Sequence, residues 1–409
     1  MDTRNVRESE VTTVKIGDVI RVTIDTVAFG GDGVGRVNNM VVFVPFTVDG
    51  DVVDVRITEV KKKYLCGEID RIALPSPTRV IPKCVYFGRC GGCQYQHIAY
   101  EHQCAMKEQQ VIDSFERIAK IASPPVTPII PSPKIYNYRG KAEYHLNSGE
   151  DGTPQVGFMD VSGGALVNID HCDIVDETIN QSYCSFRESL VSGEVEYEDG
   201  RYTFWSGTDF GGTTEGKFRF VERVAKDMVF RVPYEGFFQT NEHLVDAMGD
   251  YVLKKGAFRQ SDVVVDLYCG TGLFLLSVAP LVHNVNGIEV DGEAVRCARY
   301  NIQKHGCENA KVIKGRAETI LKKRTLAEKN IAAVILDPPR VGCAKEVLAG
   351  IIAIRPETIV YISCNPATQA RDVRYLTERG FSLVNVQPVD MFPQTQHIEV
   401  MALLKRTGN

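Results

Sequence analysis

Apolar and polar residues alternate along the first part of the chain, in short runs that glycine turns separate. The runs lie at residues 18–29, 40–46, 51–58 and 64–69. A period of two is typical of strands that bury one face, and glycine permits the tight turns between them. The pattern predicts five short strands that close into a small β-barrel over residues 12–73.

A stretch rich in proline and serine, 74–82, leads into a region of mixed pattern. Residues 100–119 show the helical period, and a second proline-rich segment, SPPVTPIIPSP, follows at 123–133. Short strand-like runs punctuated by glycine then continue to about residue 231. We predict a central α+β domain over residues 80–232.

From about residue 260 onward, strand-like and helical patterns alternate. The segment VVVDLYCGTG is typical of a buried strand that enters a glycine turn, and VNGIEVD, AAVILDPPR and TIVYISCNP supply further strands. This alternation predicts an α/β fold, a Rossmann-like, doubly wound and mostly parallel sheet over residues 233–409. Ligands of such sheets bind at the carboxyl ends of the strands.

The composition is that of a folded protein, because 44% of the 409 residues are hydrophobic and 24% are charged. A net charge of −5 argues mildly against a dedicated nucleic-acid binder, whose surface is usually basic. The apolar stretch 263–282 contains Asp266 and Pro280, which disfavour a membrane-spanning helix. Since the first ten residues contain no apolar signal segment, we expect a cytoplasmic protein whose twelve cysteines are reduced, metal-bound or catalytic rather than paired in disulfides. We also expect a monomer without membrane contact.

The glycine turn after Asp266 is a candidate cofactor site. A dinucleotide fingerprint needs a third glycine where this chain has Leu275, and no phosphate-binding P-loop occurs. The remaining pattern, D-x-x-C-G-T-G followed by Glu289 at the end of the next strand, is the general pattern of an S-adenosylmethionine-dependent methyltransferase. Glu289 would accept hydrogen bonds from both ribose hydroxyls, although spacing alone leaves open an ordinary acid at a strand end.

Two later strands end in candidate catalytic groups. Asp337 precedes two prolines, whose rigid turn holds the carboxylate at the sheet edge. Cys364 lies at the tip of the following strand, where a thiolate could react, although a buried structural cysteine is the alternative. Glu399 lies in an otherwise apolar strand, where burial would raise its pKa toward that of a general base. His397 is the competing candidate for that base.

The motifs together resemble the RNA uracil-5-methyltransferase family over nearly the whole chain. The most specific segments are FFQTN at 237–241, DLYCGTG at 266–272, LDPPR, SCNP and FPQTQHIE, and the first region resembles a TRAM domain, an RNA-binding barrel. The resemblance implies that Cys364 is the nucleophile and Glu399 the proton acceptor. It further implies contacts with the cofactor or the adjoining base from Gln239, Tyr268, Glu289 and Asp337, and it places Phe237 beside the target base.

Three cysteines, Cys84, Cys90 and Cys93, fall within ten residues and indicate a metal or cluster site. Cys104 and Cys172 compete as the fourth ligand, and Cys104 falls within a predicted helix. Spacing alone leaves zinc and iron–sulfur open. The family resemblance selects Cys172 and implies a [4Fe–4S] cluster.

The sequence therefore predicts an enzyme that methylates C5 of a uridine in structured RNA, either 23S ribosomal RNA or transfer RNA. Three alternatives stay open at this point. The chain could be a catalytically inactive RNA-binding or assembly factor, a methyltransferase for base amino groups, or a nucleotide-dependent oxidoreductase that uses the iron–sulfur centre.

Overall fold

The computed structural model describes residues 14–149, 152–322 and 330–408. Its first part forms strands β1 (Val19–Val27), β2 (Gly33–Val37), β3 (Met40–Val44), β4 (Val52–Val60) and β5 (Tyr64–Leu74). They close into a barrel in the order β1-β2-β3-β5-β4, in which only the β3–β5 pair is parallel. Because successive side chains of a strand point to opposite faces, every second side chain points into the barrel. The barrel core consists of residues such as Val22, Val42 and Leu65. The predicted TRAM-like barrel is confirmed.

The central part begins with helix α1 (Tyr100–Arg117). After it come β6 (Lys141–Ser148), β7 (Pro154–Met159), β8 (Leu166–Asn168), α2 (Glu177–Ser192) and β9 (Gly200–Trp205). The strands form an antiparallel sheet in the order β8-β7-β6-β9. Its core is aromatic: Tyr144 stacks on Tyr183 of α2 with ring centroids 4.0 Å apart. A small antiparallel sheet follows, consisting of β10 (Thr213–Glu215), β11 (Phe218–Ala225) and β12 (Met228–Pro233).

The last part is the α/β layer. Its helices are α3 (Glu242–Gly256), α4 (Leu273–Val278), α5 (Gly292–Lys304), α6 (Ala317–Leu321), α7 (Lys345–Ile354) and α8 (Pro366–Thr377). Its strands are β13 (Val263–Leu267), β14 (Asn284–Glu289), β15 (Ala310–Lys314), β16 (Ile331–Leu336), β17 (Thr358–Ser363), β18 (Phe381–Val389) and β19 (Glu399–Arg406). They form one sheet in the order β15-β14-β13-β16-β17-β19-β18. The five strands β13 to β17 are parallel, and β19 runs antiparallel between β17 and β18.

Buried apolar clusters cover both faces of this sheet, as the doubly wound prediction requires. The apolar stretch 263–282 is divided between β13, the glycine turn, α4 and a short 3₁₀ turn. None of the helices in the described ranges is both long enough and apolar enough to cross a membrane.

The central part packs tightly on the α/β layer. Val111 and Phe115 of α1 belong to the same buried cluster as Tyr361 of β17. Lys107 of α1 forms a fully buried ion pair with Asp390, 2.6 Å long. The small sheet β10–β12 likewise contributes to a cluster of the α/β layer. The domain limits 80–232 and 233–409 thus remain a proposal based on sequence, since shared cores cross them.

Candidate active site

The register of the parallel strands brings several predicted residues to one edge of the sheet. Leu267 of β13 pairs with Ile288 of β14 and with Leu336 of β16. The residues that follow, Tyr268 and Asp337, therefore leave the sheet side by side at its carboxyl edge. Their main-chain nitrogens continue the ladder, with the Tyr268 N–H donating to the Ile288 carbonyl at 2.9 Å.

The turn after β13 has an unusual backbone. Tyr268 has a φ of +64°, a left-handed conformation that few non-glycine residues adopt. Gly272, with a φ of +94°, begins α4, and a Cβ there would lie 2.9 Å from Leu276. This turn points its backbone toward the sheet edge, which is the usual place for a bound cofactor.

Glu289 is fixed by three main-chain donors. Its Oε2 accepts from the Gly270 N–H at 3.0 Å, and its Oε1 accepts from Val290 and Asp291 at 2.7 and 2.8 Å. Oε2 accepts only one of these bonds, so it has a second lone pair that can accept a further hydrogen bond. Glu289 is therefore more than an ordinary acid at a strand end, because it holds the glycine turn to β14.

A cavity of about 230 Å³ opens beside this turn. Its lining consists of Tyr268, Ile288, Val290, Gly315, Arg316, Ala317 and Glu318. The last four residues follow β15, and sequence reasoning did not single them out. Their position directly after a parallel strand, at the same edge as Glu289, is the signal that could have identified them.

Cys364 and Glu399 come together through antiparallel pairing. Ser363, the last residue of β17, pairs with Val400 of β19. One further step in this register sets Cys364 opposite Glu399, the first residue of β19. The two side chains are close enough for the charge of Glu399 to act on the Cys364 thiol. Cys364 is half-buried, whereas Glu399 is only 3% exposed.

The local electrostatics are dominated by buried acids. Burial, together with the neighbouring Asp337, holds the pKa of Glu399 well above its usual range, and burial raises the pKa of Asp337 to about 7. Burial and the charge of Glu399 raise the pKa of Cys364 to about 11. The guanidinium of Arg340 opposes this by lowering the pKa values of both Cys364 and Glu399. A cation bound at this edge would stabilise the charged forms of these acids.

The two turns that carry Asp337 and Cys364 are braced against each other. The Asn365 amide donates to the Arg340 carbonyl at 3.3 Å, and the Thr368 hydroxyl donates to the same carbonyl at 3.1 Å. The Asn365 side chain also accepts from the first N–H groups of α8 and thereby caps the helix. Cys364 is thus held between a strand end and a capped helix.

His397 has a different role from Glu399. The Arg340 guanidinium lies 3.0 Å from the His397 ring and donates to it. Burial and the nearby Arg340 charge lower the pKa of His397 to about 3, so the ring is neutral near pH 7. A ring that has so low a pKa and already accepts a hydrogen bond from Arg340 is a weak proton acceptor, and Glu399 remains the predicted base.

Gln239 and Phe237 lie in the segment between β12 and α3. Gln239 is buried, and the intervening Phe238 belongs to the same buried cluster as Ile362 of β17 and Met391. Phe237 is 68% exposed. The segment therefore lies against the β17 side of the layer, while the predicted contacts of Gln239 and Phe237 remain predictions.

We expect alkylation of Cys364 in the free protein to depend steeply on pH. With a pKa of about 11 the thiolate amounts to roughly one part in a thousand at pH 8, and its fraction rises about tenfold per pH unit up to pH 10. Iodoacetamide labelling followed by peptide mass spectrometry measures this rate, with the exposed Cys184 as internal reference. Arg340→Gln should slow the labelling of Cys364 further. Labelling of Cys364 as fast as that of Cys184 at pH 7 would contradict the raised pKa.

The four candidate ligand cysteines border a second cavity, of about 240 Å³. Cys84, Cys90, Cys93 and Cys172 all line it, whereas Cys104 is buried within α1 and does not. In the described part of the chain, no three His, Cys, Asp or Glu side chains are close enough to hold a single metal ion. None of the twelve cysteines forms a disulfide.

Known proteins resemble this chain in both its barrel and its α/β layer. Residues 220–407 match the family model described as tRNA (Uracil-5-)-methyltransferase, and residues 13–69 match the TRAM domain. An uncharacterized RNA methyltransferase of Caldanaerobacter subterraneus is 34% identical over 96% of this chain and 99% of its own length. The tRNA (uracil(54)-C(5))-methyltransferase of Schizosaccharomyces pombe is 32% identical over 95% of this chain and 78% of its own length.

Among solved structures, the Pyrococcus abyssi tRNA (uracil-54, C5)-methyltransferase in complex with S-adenosyl-L-homocysteine superimposes with a TM-score of 0.72. The two chains are 22% identical, and the match covers 94% of this chain and 100% of the other. This likeness establishes the fold. The relatives above 30% identity, matched along nearly the whole chain, establish that it belongs to the S-adenosylmethionine-dependent RNA uracil-5-methyltransferase family.

Proposed function

We propose that the chain transfers a methyl group from S-adenosylmethionine to C5 of a uridine in structured RNA, with Cys364 as nucleophile and Glu399 as proton acceptor. The observation that carries this proposal is the register of β17 and β19, which sets a half-buried thiol opposite a buried carboxyl group. Methylation of an amino group would require neither. The family relationship supports the same acceptor atom.

The chemistry explains why both groups are needed. C5 of uracil is a weak carbon nucleophile. Addition of the Cys364 thiolate to C6 converts the C5–C6 double bond into an enolate, and C5 of the enolate attacks the sulfonium methyl group. The electron pair of the broken S–CH₃ bond stays on sulfur. Glu399 then takes the C5 proton, and elimination of the thiolate restores the double bond and frees Cys364.

The Cys364 thiol ionises more readily when positive charge lies near it, and two groups would supply such charge. Arg340 already lowers the pKa of Cys364. The acids Asp337 and Glu399 raise that pKa, so the positive charge of a bound sulfonium would offset their effect. The nucleophile would thus gain reactivity when the methyl donor is present.

We assign the glycine turn, Glu289, Tyr268 and Asp337 to the cofactor, together with Gln239. Glu289→Gln should weaken S-adenosylmethionine binding by about 10- to 100-fold, because charged acceptors contribute about 1.5–3 kcal/mol per hydrogen bond. Isothermal titration calorimetry measures the affinity. The matched control is Glu293→Gln on the exposed first turn of α5, which should bind as the unaltered protein does. Equal affinity for both variants would refute the assignment of Glu289.

For the RNA we propose transfer RNA, since the family model and the yeast and archaeal relatives all name it. The barrel would contribute to RNA binding, and the exposed Phe237 would lie beside the target base. We further propose that the enzyme works as a cytoplasmic monomer. The test is to map 5-methyluridine in transfer RNA and 23S ribosomal RNA from cells that lack this protein. Loss of 5-methyluridine from ribosomal RNA alone would show that ribosomal RNA, and not transfer RNA, is the substrate.

We also propose that Cys84, Cys90, Cys93 and Cys172 hold an iron–sulfur cluster. The support for this proposal is that all four thiols border one cavity of about 240 Å³, and thiolates are the usual ligands of iron–sulfur clusters. Such a group would supply a structural link within the central part, and no step of methyl transfer needs it. Anaerobic purification should yield a brown protein, whereas a colourless protein with one zinc per chain would refute the cluster.

A further inference from the structure

The turn that contains Cys90 and Cys93 is hydrogen-bonded to the segment that precedes the catalytic base. We call residues 90–93 the cysteine turn and residues 390–398 the base loop. Gln94 directly follows the cysteine turn, and its N–H donates to the Gln394 carbonyl at 3.1 Å. The Tyr95 N–H donates to the same carbonyl at 2.9 Å. Two main-chain bonds thus join segments three hundred residues apart in sequence.

The Gln94 side chain reinforces this junction from both ends. Its Nε2 donates to the Gly91 carbonyl in the cysteine turn at 2.8 Å. Its Oε1 accepts from the Gln396 N–H in the base loop at 3.2 Å. One amide therefore fixes the distance between the two segments, which an apolar or shorter side chain would not do.

Space around Gln94 is confined by the barrel. A Cβ added to Gly31, in the turn between β1 and β2, would lie 3.2 Å from the Gln94 Cβ. The base loop approaches the same turn, since Gln396 Oε1 would lie 3.7 Å from that Cβ. The barrel, the central part and the α/β layer thus meet at Gln94.

The base loop depends on such outside contacts. It contains neither helix nor strand between β18 and β19, and Gln394 has a φ of +69°. Besides Gln94, the buried Gln103 of α1 holds it through reciprocal bonds to Gln394, both 3.0 Å long. Glu399 follows Gln396 by three residues, so displacement of this loop would move the carboxyl group relative to C5 of a bound base.

We propose that Gln94 is a positioning residue for the general base, because its hydrogen bonds hold the base loop to the cysteine turn. This inference rests on the proposed function of Glu399. Cys364 directly follows β17, and its neighbour Asn365 caps α8, so the position of Cys364 does not depend on the base loop. Loss of the Gln94 bonds should therefore slow proton removal and release while leaving covalent addition nearly intact.

The test is Gln94→Met, which preserves side-chain volume and removes both hydrogen bonds. In single-turnover reactions with substrate RNA and S-adenosylmethionine, we expect adduct formation within about twofold of the unaltered enzyme and product release about tenfold slower, the equivalent of one lost hydrogen bond. Denaturing gels should then show an accumulating covalent protein–RNA species. Gln94→Glu retains the acceptor for the Gln396 N–H but loses the donor to the Gly91 carbonyl, so its release rate should lie between those of Gln94→Met and the unaltered enzyme.

Hydrogen–deuterium exchange gives a readout independent of activity. The peptide spanning 394–397 should exchange faster in Gln94→Met, whereas peptides of β17 should not change. The control is Gln387→Ala, which removes a glutamine that donates to the Pro128 carbonyl on the far side of β18 and should leave adduct, release and loop exchange unaltered. If the Gln94→Met variant is insoluble, Gln94→Ala replaces it, and the expected results are the same.

The outcomes separate this inference from the proposed function. If the unaltered enzyme makes no 5-methyluridine, the proposed function fails. If it does, but Gln94→Met releases product normally or loses addition and release in equal proportion, the positioning role of Gln94 is wrong and the proposed function stands.

Discussion

Replacement of Cys364 by alanine should abolish methylation, by at least about 10⁴-fold, because removing a covalent nucleophile removes the addition step on which all later steps depend. The measurement is transfer of labelled methyl from S-adenosylmethionine to unmodified transfer RNA. The variant should also form no covalent adduct with RNA that contains 5-fluorouridine, whose C5 fluorine cannot be removed as a proton.

The alanine variant should remain folded and bind the methyl donor, because Cys364 is only half-buried and lies beyond the end of β17. Cys184→Ala, at an exposed position of α2, is the matched control and should methylate normally. Methylation retained in Cys364→Ala would exclude this residue as nucleophile and would favour the amino-group methyltransferase.

Glu399→Gln should stall the reaction after methyl transfer. Glutamine keeps the shape of the side chain in its buried position but cannot accept the C5 proton, so elimination fails and the RNA stays attached to Cys364. We expect turnover to fall by about 10³-fold or more. A protein–RNA species that survives denaturation and carries the transferred methyl group is the signature, measured by gel and mass spectrometry.

His397→Asn distinguishes the two candidates for the base. It removes the ring that accepts from Arg340, so the reaction should slow without an accumulating methylated adduct. Should His397→Asn trap the adduct while Glu399→Gln turns over normally, the roles assigned here would be reversed.

Local pattern was sufficient to predict the architecture. Alternation of apolar and polar residues in the first seventy residues reflects strands that bury one face, and it predicts the barrel. The later apolar strands followed by helices reflect burial of both faces, and they predict the parallel sheet. The edge that holds Asp337 and Cys364 was predictable for the same reason, because parallel strands present their carboxyl ends together.

Pairing between distant segments could not be predicted in this way. The position of β19 between β17 and β18 depends on packing over the whole layer, and it is this insertion that sets Glu399 opposite Cys364. The left-handed φ of Tyr268 has no residue signature, unlike a glycine. The cavity residues 315–318 and the bridge made by Gln94 likewise arise from contacts between segments.

Net charge was a poor guide to substrate, because it averages over the whole chain. The value of −5 conceals a concentration of acidic side chains at the carboxyl edge of the sheet, where burial and the charge of Asp337 raise the pKa values of both Asp266 and Glu399. That arrangement suits a sulfonium cation, and it says little about the surfaces that would contact RNA.

The most direct test is to identify the covalent bond itself. The enzyme is incubated with S-adenosylmethionine and 5-fluorouridine-substituted transfer RNA, digested with nuclease and trypsin, and analysed by tandem mass spectrometry. We expect one modified peptide, with a methylated fluorouridine attached to Cys364. Methylated RNA without any adduct, or an adduct on a different cysteine, would contradict it.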